Sequence, residues 1–490
     1  FFMSDTSKKK DLYLVNLVIG IGIMFLFRFL PITLPHITDT GMEILGIFIG
    51  TLYLWSTSDP IWASLLAIFM IGLSNYSDMS TVLTSTFGNP MVVQVLFLMN
   101  IVNCLVENHL TEYVGRFFLT RKICRGKPWM LTFFIMMGCV LMAAFMSAFA
   151  PIFLFWPILY DIFSLTGMKA YEKYPTIMVI LVVIAALLGF PVPPFMSNGL
   201  ALITNYTTIT TNMGHPVIIN SAGYLILGLI NAFICTVVII LFCKFVLRPD
   251  VSKLKSITPE ILNRNPLPPM SLRQKLIGIS FAIFILILLC PSLVPSTALG
   301  IFVKNNTYGI CVGYTFLLCA VRIEKKPLMN FAETMKRFSW PTYFLIASAI
   351  LLGNALTSDS TGISAFLNAV LMPVFQNVSP SMFSIIILLF TVVLTNVCNS
   401  FVIGILMQPV IATYCLATGV NSAPITAVMI QFVLLSAAIT PAASPFAAML
   451  FGNKDWLKPG QIYKYSFMFV CLELLIVLVC VLPLSNILLG

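Results

Sequence analysis

Of the 490 residues, 59% are hydrophobic and only 9% are charged, and phenylalanine alone contributes 40. No soluble fold hides that much apolar surface, so composition excludes a water-soluble class. The formal net charge of +10 would suit a nucleic-acid partner, but the basic residues fall in short loops between apolar runs, where the positive-inside rule places them, and they read as topology signals.

Apolar stretches of about 20 residues, the length a helix needs to cross roughly 30 Å of hydrocarbon, recur along the chain. Phe1 to Asp11 carries Lys8, Lys9 and Lys10 and leads into an apolar run over 12–30 with no small-residue cleavage site. This predicts a first transmembrane helix rather than a signal peptide. Further spans are predicted near 42–58, 61–75 and 90–112. The loop that follows holds Arg116, Arg121, Lys122, Arg125 and Lys127 and is expected on the cytoplasmic side. Two half-length runs, 131–146 and 150–167, then meet at Ser147-Ala148-Phe149 and return to a loop with Lys169 and Lys173. Both ends on one side make a hairpin. A span from 176 breaks at Phe190-Pro191-Val192-Pro193-Pro194, where prolines remove backbone donors and free carbonyls, and it resumes toward 212. After a span near 217–246, the polar segment Arg248 to Lys275, with six Lys or Arg, links two halves.

In the second half, Leu394 to Pro409 sets Thr395, Asn396, Cys398, Asn399 and Ser400 between two apolar runs too short to span a bilayer singly. That pattern reads as the polar tip of a re-entrant hairpin, the usual pointer to a transporter's binding site. The plainer reading is a kinked helix held to a neighbour by Ser and Asn. A repeat decides between them. Phe87-Gly88-Asn89-Pro90 lies 251 residues before Phe338-Ser339-Trp340-Pro341, and the same offset relates Asn103 to Asn354, Leu105 to Leu356, Ser147 to Cys398, and Pro194-Phe195 to Pro445-Phe446. One spacing kept over about a hundred residues signals an internal structural repeat.

Charge sets the orientation of the copies. The loop 116–127 has five Lys or Arg and its counterpart 367–378 has none, while 71–86 has none and 322–337 has Arg322, Lys325, Lys326, Lys336 and Arg337. Equivalent loops are therefore expected on opposite sides, which inverts the repeats and lets the hairpin tips converge near the midplane. The expected fold is an all-α polytopic membrane protein with about eleven transmembrane helices plus two re-entrant hairpins, N-terminus cytoplasmic and C-terminus outside. Its expected organisation is N-terminal scaffold helices at 1–86, a first repeat at 87–246 (hairpin 131–167, broken helix 176–212) and a cytoplasmic linker at 247–275. Further scaffold helices occupy 276–337, and 338–490 holds the second repeat (hairpin 381–418, broken helix 424–452) and a last helix.

These residues carry a family resemblance over nearly the full length. Phe-Gly-Asn-Pro at 87–90, the run Leu352-Gly353-Asn354-Ala355-Leu356-Thr357-Ser358-Asp359-Ser360-Thr361-Gly362-Ile363, the paired tips, and Thr440-Pro441-Ala442-Ala443-Ser444-Pro445 resemble the divalent-anion/sodium symporter (dicarboxylate transporter) family of the ion-transporter superfamily. The resemblance implies a homodimer with a scaffold and an elevator-type transport domain in a plasma (cell inner) membrane. It also implies Ser-Asn-Thr tips that hold substrate carboxylate and help bind sodium. Here the first tip keeps only Ser147, followed by Ala148 and Phe149. The second is Cys398-Asn399-Ser400 by offset, or Asn399-Ser400-Phe401 after a one-residue shift that brings Pro409 into the family's register. Substrate-binding candidates are Ser147, Cys398, Asn399, Ser400, Thr440, Pro441, Ser444 and Pro194, and sodium candidates are Ser147, Asn399, Ser400 and Thr440.

The residues support the same chemistry directly. No Lys or Arg lies at either tip or break, so a small carboxylate would be held by hydroxyls, amides and half-helix N-termini, each worth roughly half a positive charge. Carbonyls freed at Pro191 to Pro194 and at Thr440 to Pro445 suit sodium. Within spans, Glu107 and Asp161 lie near the interfaces, and Glu473 sits deep, as a packed residue or a proton site. Twelve scattered cysteines and three histidines, His36, His109 and His215, show no metal-ligand spacing. An enzyme is not expected, because Gly-x-Ser-x-Gly and His-Glu-x-x-His are both absent, and no filter-like sequence points to a channel. The expected function is sodium-coupled symport of a di- or tricarboxylate with no other cofactor, the alternatives being sodium-independent anion exchange or a proton-coupled carrier.

Overall fold

A long apolar segment has no water to satisfy its backbone, so it closes its hydrogen bonds within itself as helix. The computed structural model describes residues 3–490 except 32–33, 120–125, 147, 257–267, 364, 367–368, 370–377, 398 and 442. The first half comprises α1 (Met3–Leu26), α2 (Asp39–Thr57), α3 (Pro60–Leu73), α4 (Met79–Phe87), α5 (Pro90–Glu107), α6 (Leu110–Leu119), α7 (Pro128–Phe145), α8 (Ala150–Leu165), α9 (Lys173–Gly189), α10 (Ser197–Asn212) and α11 (Ser221–Phe242). The second half comprises α12 (Leu272–Leu293), α13 (Ala298–Ala320), α14 (Phe331–Lys336), α15 (Trp340–Thr357), α16 (Pro380–Thr395), α17 (Ser400–Thr418), α18 (Ala423–Leu435), α19 (Pro445–Gly452), α20 (Pro459–Ile476) and α21 (Leu482–Leu489). Among the described residues the only strands are β1 (Arg322–Ile323) and β2 (Lys326–Pro327), a short antiparallel pair.

Among the described residues six helical stretches are long and apolar enough to cross a membrane by length and composition, and seven shorter apolar helices accompany them. The shorter ones include α8, α9, α16 and α18, the pieces of the hairpins and interrupted helices. This order of elements is the one expected of eleven spans and two hairpins. The repeat is visible in the helix boundaries: shifted by 251 residues, Pro90–Glu107 falls on 341–358 and Pro128–Phe145 on 379–396, within one residue of α15 and α16 at both ends. The broken helix departs from the repeat, because α18 stops at Leu435 where the shifted α9 would run to 440.

Packing puts the interrupted helices at the centre. Every residue of α18 is buried, as is every residue of α9 from Tyr174 on, the mark of a helix that is apolar all round and enclosed by others. α7 and α8 pack on α9, and α16 and α17 pack on α18, so each hairpin grips the first half of its own broken helix. The second halves cross over, α10 against α17 and α19 against α9. Gly189 lets α7 and α9 touch, since a Cβ there would run into the Val140 carbonyl. On the periphery, α12 and α13 expose Ile279, Ile283, Leu286, Phe302 and Phe316, an outward apolar face that suits hydrocarbon rather than water.

Candidate functional site

The second hairpin tip is built around Asn396. α16 ends at Thr395, and Asn396 turns inward, buried. Its Nδ2 donates to the carbonyls of Val392 (2.9 Å) and Ser436 (3.0 Å), and its Oδ1 accepts from the Ile439 N–H (2.9 Å). The Thr440 hydroxyl donates to the Asn396 carbonyl (2.6 Å), and the Ser400 N–H donates to the Ala443 carbonyl (3.0 Å). Tip and break are thereby zipped together, and the backbone groups released between α18 and α19 find partners that a membrane interior cannot supply.

Two helix N-termini open at this junction. Asn399 caps α17, its Oδ1 accepting from the Phe401 N–H (3.0 Å), which leaves Nδ2 as a donor. Ser444 caps α19: its hydroxyl accepts from the Ala447 N–H (3.1 Å) and donates to the Ala437 carbonyl (2.6 Å). What Ser444 supplies is therefore the shape of the break, whereas Asn399 offers a free amide beside a helix dipole. Thr440 has given its proton to Asn396 and presents only oxygen lone pairs. The hydroxyls of Thr395 and Ser436 lie buried with no partner among the described residues. Buried polar atoms normally find one, so these two hydroxyls stand out beside the break.

At the first break, α9 ends at Gly189, Pro191 to Phe195 are buried, and α10 starts at Ser197. The Asn198 Oδ1, in the first turn of α10, is buried without a partner. The first tip meets the second repeat through aromatics: Phe149 stacks on Phe446 with centroids 4.4 Å apart, and Phe190 packs on the same ring at 5.4 Å. No Asp, Glu, Lys or Arg occurs in 146–149, 190–196, 396–400 or 436–444, so the tips and breaks themselves carry no formal charge.

Of the predicted residues, Asn399, Ser400, Thr440 and Ser444 come together at the second junction, with Pro441 exposed on its surface, and Pro194 is buried in the first break. Ser147 and Cys398 lie outside the described residues. Pro128 and Pro380 each open a hairpin's first arm and Pro157 and Pro409 each lie inside the second arm, both pairs 252 apart, the spacing of the shifted register, whereas the helix ends that flank the tips, Phe145 and Thr395, Ala150 and Ser400, are 250 apart. Asn396, Asn198, Thr395 and Ser436 were not among the sequence candidates, although Thr395 and Asn396 stood in the same polar stretch. Of the acids within spans, Asp161 is exposed and Glu107 half-buried, while Glu473 is fully buried with neither oxygen partnered.

Two hairpins, each clamped on an interrupted helix in a helical integral membrane protein, are the arrangement of a secondary transporter. The family model described as citrate transporter matches residues 51–433. The chain belongs to that family, a transporter family of organic anions within the ion-transporter superfamily, which bears out the resemblance seen in the sequence. Among solved structures the chain is similar to the YdaH transporter of Alcanivorax borkumensis, whose structure is described as revealing an unusual topology. The TM-score is 0.56 with 14% identity, over 93% of this chain and 98% of that one, a likeness of fold alone. No curated protein matches the chain.

Proposed function

We propose that the protein carries a small tri- or dicarboxylate, citrate foremost, coupled to sodium, with a transport unit of hairpins and broken helices moving as an elevator against the scaffold helices of a homodimer in the plasma membrane. The family supports an organic anion. The observation that carries the ion coupling is the second junction, where Thr395 and Ser436 keep buried, unspent hydroxyls beside the oxygen of Thr440 at the break. Hard oxygen donors from unwound backbone and hydroxyls are the coordination sodium takes in such carriers, while helix N-termini face the substrate carboxylates. Asn399 Nδ2 and the N-terminus of α17 supply the anion side.

The first junction is poorer. Ala148 brings no side-chain oxygen, so that site relies on Asn198 and on carbonyls around Pro191 to Pro194, and fewer sodium ions bind than in a carrier with two equal clamps. Glu473, buried without a partner, favours a proton-coupled carrier as the second reading. A thermal-shift series of the purified protein with mono-, di- and tricarboxylates, each with and without sodium, tests the proposal. Citrate should raise the melting temperature, and more so with sodium. Stabilisation by citrate that ignores sodium would contradict the coupling.

A further inference from the structure

Loops from the two halves of the chain are joined at one face of the bundle. The turn 167–173, between α8 and α9, lies against the segment 453–461, between α19 and α20: the Tyr171 hydroxyl donates to the Lys454 carbonyl (2.8 Å), and the Gln461 Nε2 donates to the Tyr171 carbonyl (3.0 Å). These bonds hold Tyr171 in a left-handed conformation, φ 67°, which a bulky residue keeps only where its surroundings fix it. Beside the turn, Tyr160 and Trp456 stack with centroids 4.7 Å apart, and the Asn453 Nδ2 donates to the Tyr160 hydroxyl (2.7 Å). Tyr and Trp gather where membrane meets water, so the joint stands at headgroup depth.

The joint collects positive charge. Segments 167–173 and 453–464 hold five lysines, Lys169, Lys173, Lys454, Lys458 and Lys464, against Glu172 and Asp455, an excess of three. All five lysines are exposed, and none forms an ion pair among the described residues. The Lys458 ammonium lies 4.9 Å from the centroid of the Tyr171 ring, which keeps it at the joint. The positive-inside rule accounts for the side of the membrane these lysines take. It does not account for residues 283 apart, Tyr171 and Lys454, being tied so that the lysines around them gather at one spot.

Past the lysines the surface turns apolar. Tyr463 and Phe467, one turn apart on α20, are 45% and 58% exposed, and Leu475, further along the same helix, is 58% exposed. Residues four apart share a helix face, so α20 presents an outward apolar strip that starts beside Lys458 and Lys464 and runs into the hydrocarbon. A free anion would engage the ammonium groups alone. Ammonium groups with an apolar strip leading away from them suit an anionic headgroup together with the acyl chain it carries.

We infer that this joint binds an anionic phospholipid, its phosphate on the lysines of the two loops and an acyl chain along Tyr463 and Phe467. Native mass spectrometry of the full chain in detergent, titrated with phosphatidylglycerol, phosphatidylcholine or inorganic phosphate, tests this. Phosphatidylglycerol should be retained, and neither of the other two should bind at the same concentration. Lys169→Gln combined with Lys454→Gln and Lys458→Gln should weaken that retention about a hundredfold, at roughly fivefold per lysine, with the melting temperature in phosphatidylcholine nanodiscs unchanged. Lys458→Glu by itself should weaken it by roughly tenfold. Arg322→Gln combined with Lys325→Gln and Lys326→Gln removes as many charges from another basic loop and should leave retention as in the parent. Equal loss in the two triple variants, retention that survives Lys169→Gln/Lys454→Gln/Lys458→Gln, equal binding of phosphatidylcholine, or equal binding of inorganic phosphate would each overturn the inference.

Discussion

Phe149, at the tip of the first hairpin, lies stacked on Phe446, in the first turn of the short helix that completes the second interrupted span, with the rings tilted by 23°. The two repeats thus meet ring to ring where two equal polar clamps would otherwise face each other. An offset stack of this kind contributes about 1 kcal/mol beyond its buried area. Phe149→Ala should lower the melting temperature modestly and raise KM for the anion more than it lowers kcat. Uptake measured over a range of substrate concentrations checks this, and an unchanged KM would mean that the stack does not shape the site.

Asn396 and Asn399 predict opposite outcomes although they are three residues apart. Asn396→Ala strips its partner from the Ile439 N–H, while the Ser436 carbonyl keeps only the Ala438 N–H, and leaving a backbone donor there unpaired costs about 2 kcal/mol. It should lose both thermal stability and transport. Asn399→Ala should abolish transport with only a small loss of melting temperature and the oligomeric state unchanged, because the one bond it gives the fold is the local cap on the Phe401 N–H. Normal transport by Asn399→Ala would reduce the tip to a structural turn.

That contrast marks how far the sequence could be read. The hairpins and breaks were legible because polar or proline-rich residues interrupt apolar runs too short to cross a bilayer, and the repeat confirmed each interruption. Which amide of the second tip faces inward was not legible. Asn396 and Asn399 are the same residue type in one stretch, and only the position of the 436–444 break tells them apart. Asn198 follows the proline break directly and carried a signal that was available, whereas Ser436 ends an apolar run and reads there as core.

The inverted arrangement of the repeats rests on the charge asymmetry across the 251-residue offset. Single cysteines introduced at Lys122 and Asn377, in a background without native cysteines, should react with membrane-impermeant reagent from opposite sides. Labelling from the same side would dismantle the inverted topology and the convergence of the tips.

Glu473 tests whether a buried acid belongs to the machinery. Both carboxyl oxygens lack a partner in a fully buried setting, and an unpaired charge there would cost several kcal/mol, so the isosteric amide in Glu473→Gln should be tolerated with stability unchanged. If the acid only packs, sodium-driven uptake by Glu473→Gln will match that of the parent at every pH. Loss of uptake with the fold intact would favour the proton-coupled reading.

On the proposed function, sodium entering at the second junction drives accumulation of a carboxylate. Purified protein in proteoliposomes with empty interiors, given labelled citrate and an inward sodium gradient, measures this directly. Net accumulation should appear, collapse when the gradient is dissipated, and vanish in Thr395→Val combined with Ser436→Ala, which removes the unspent oxygens. Uptake that requires a preloaded anion and is indifferent to sodium would contradict it and establish exchange in its place.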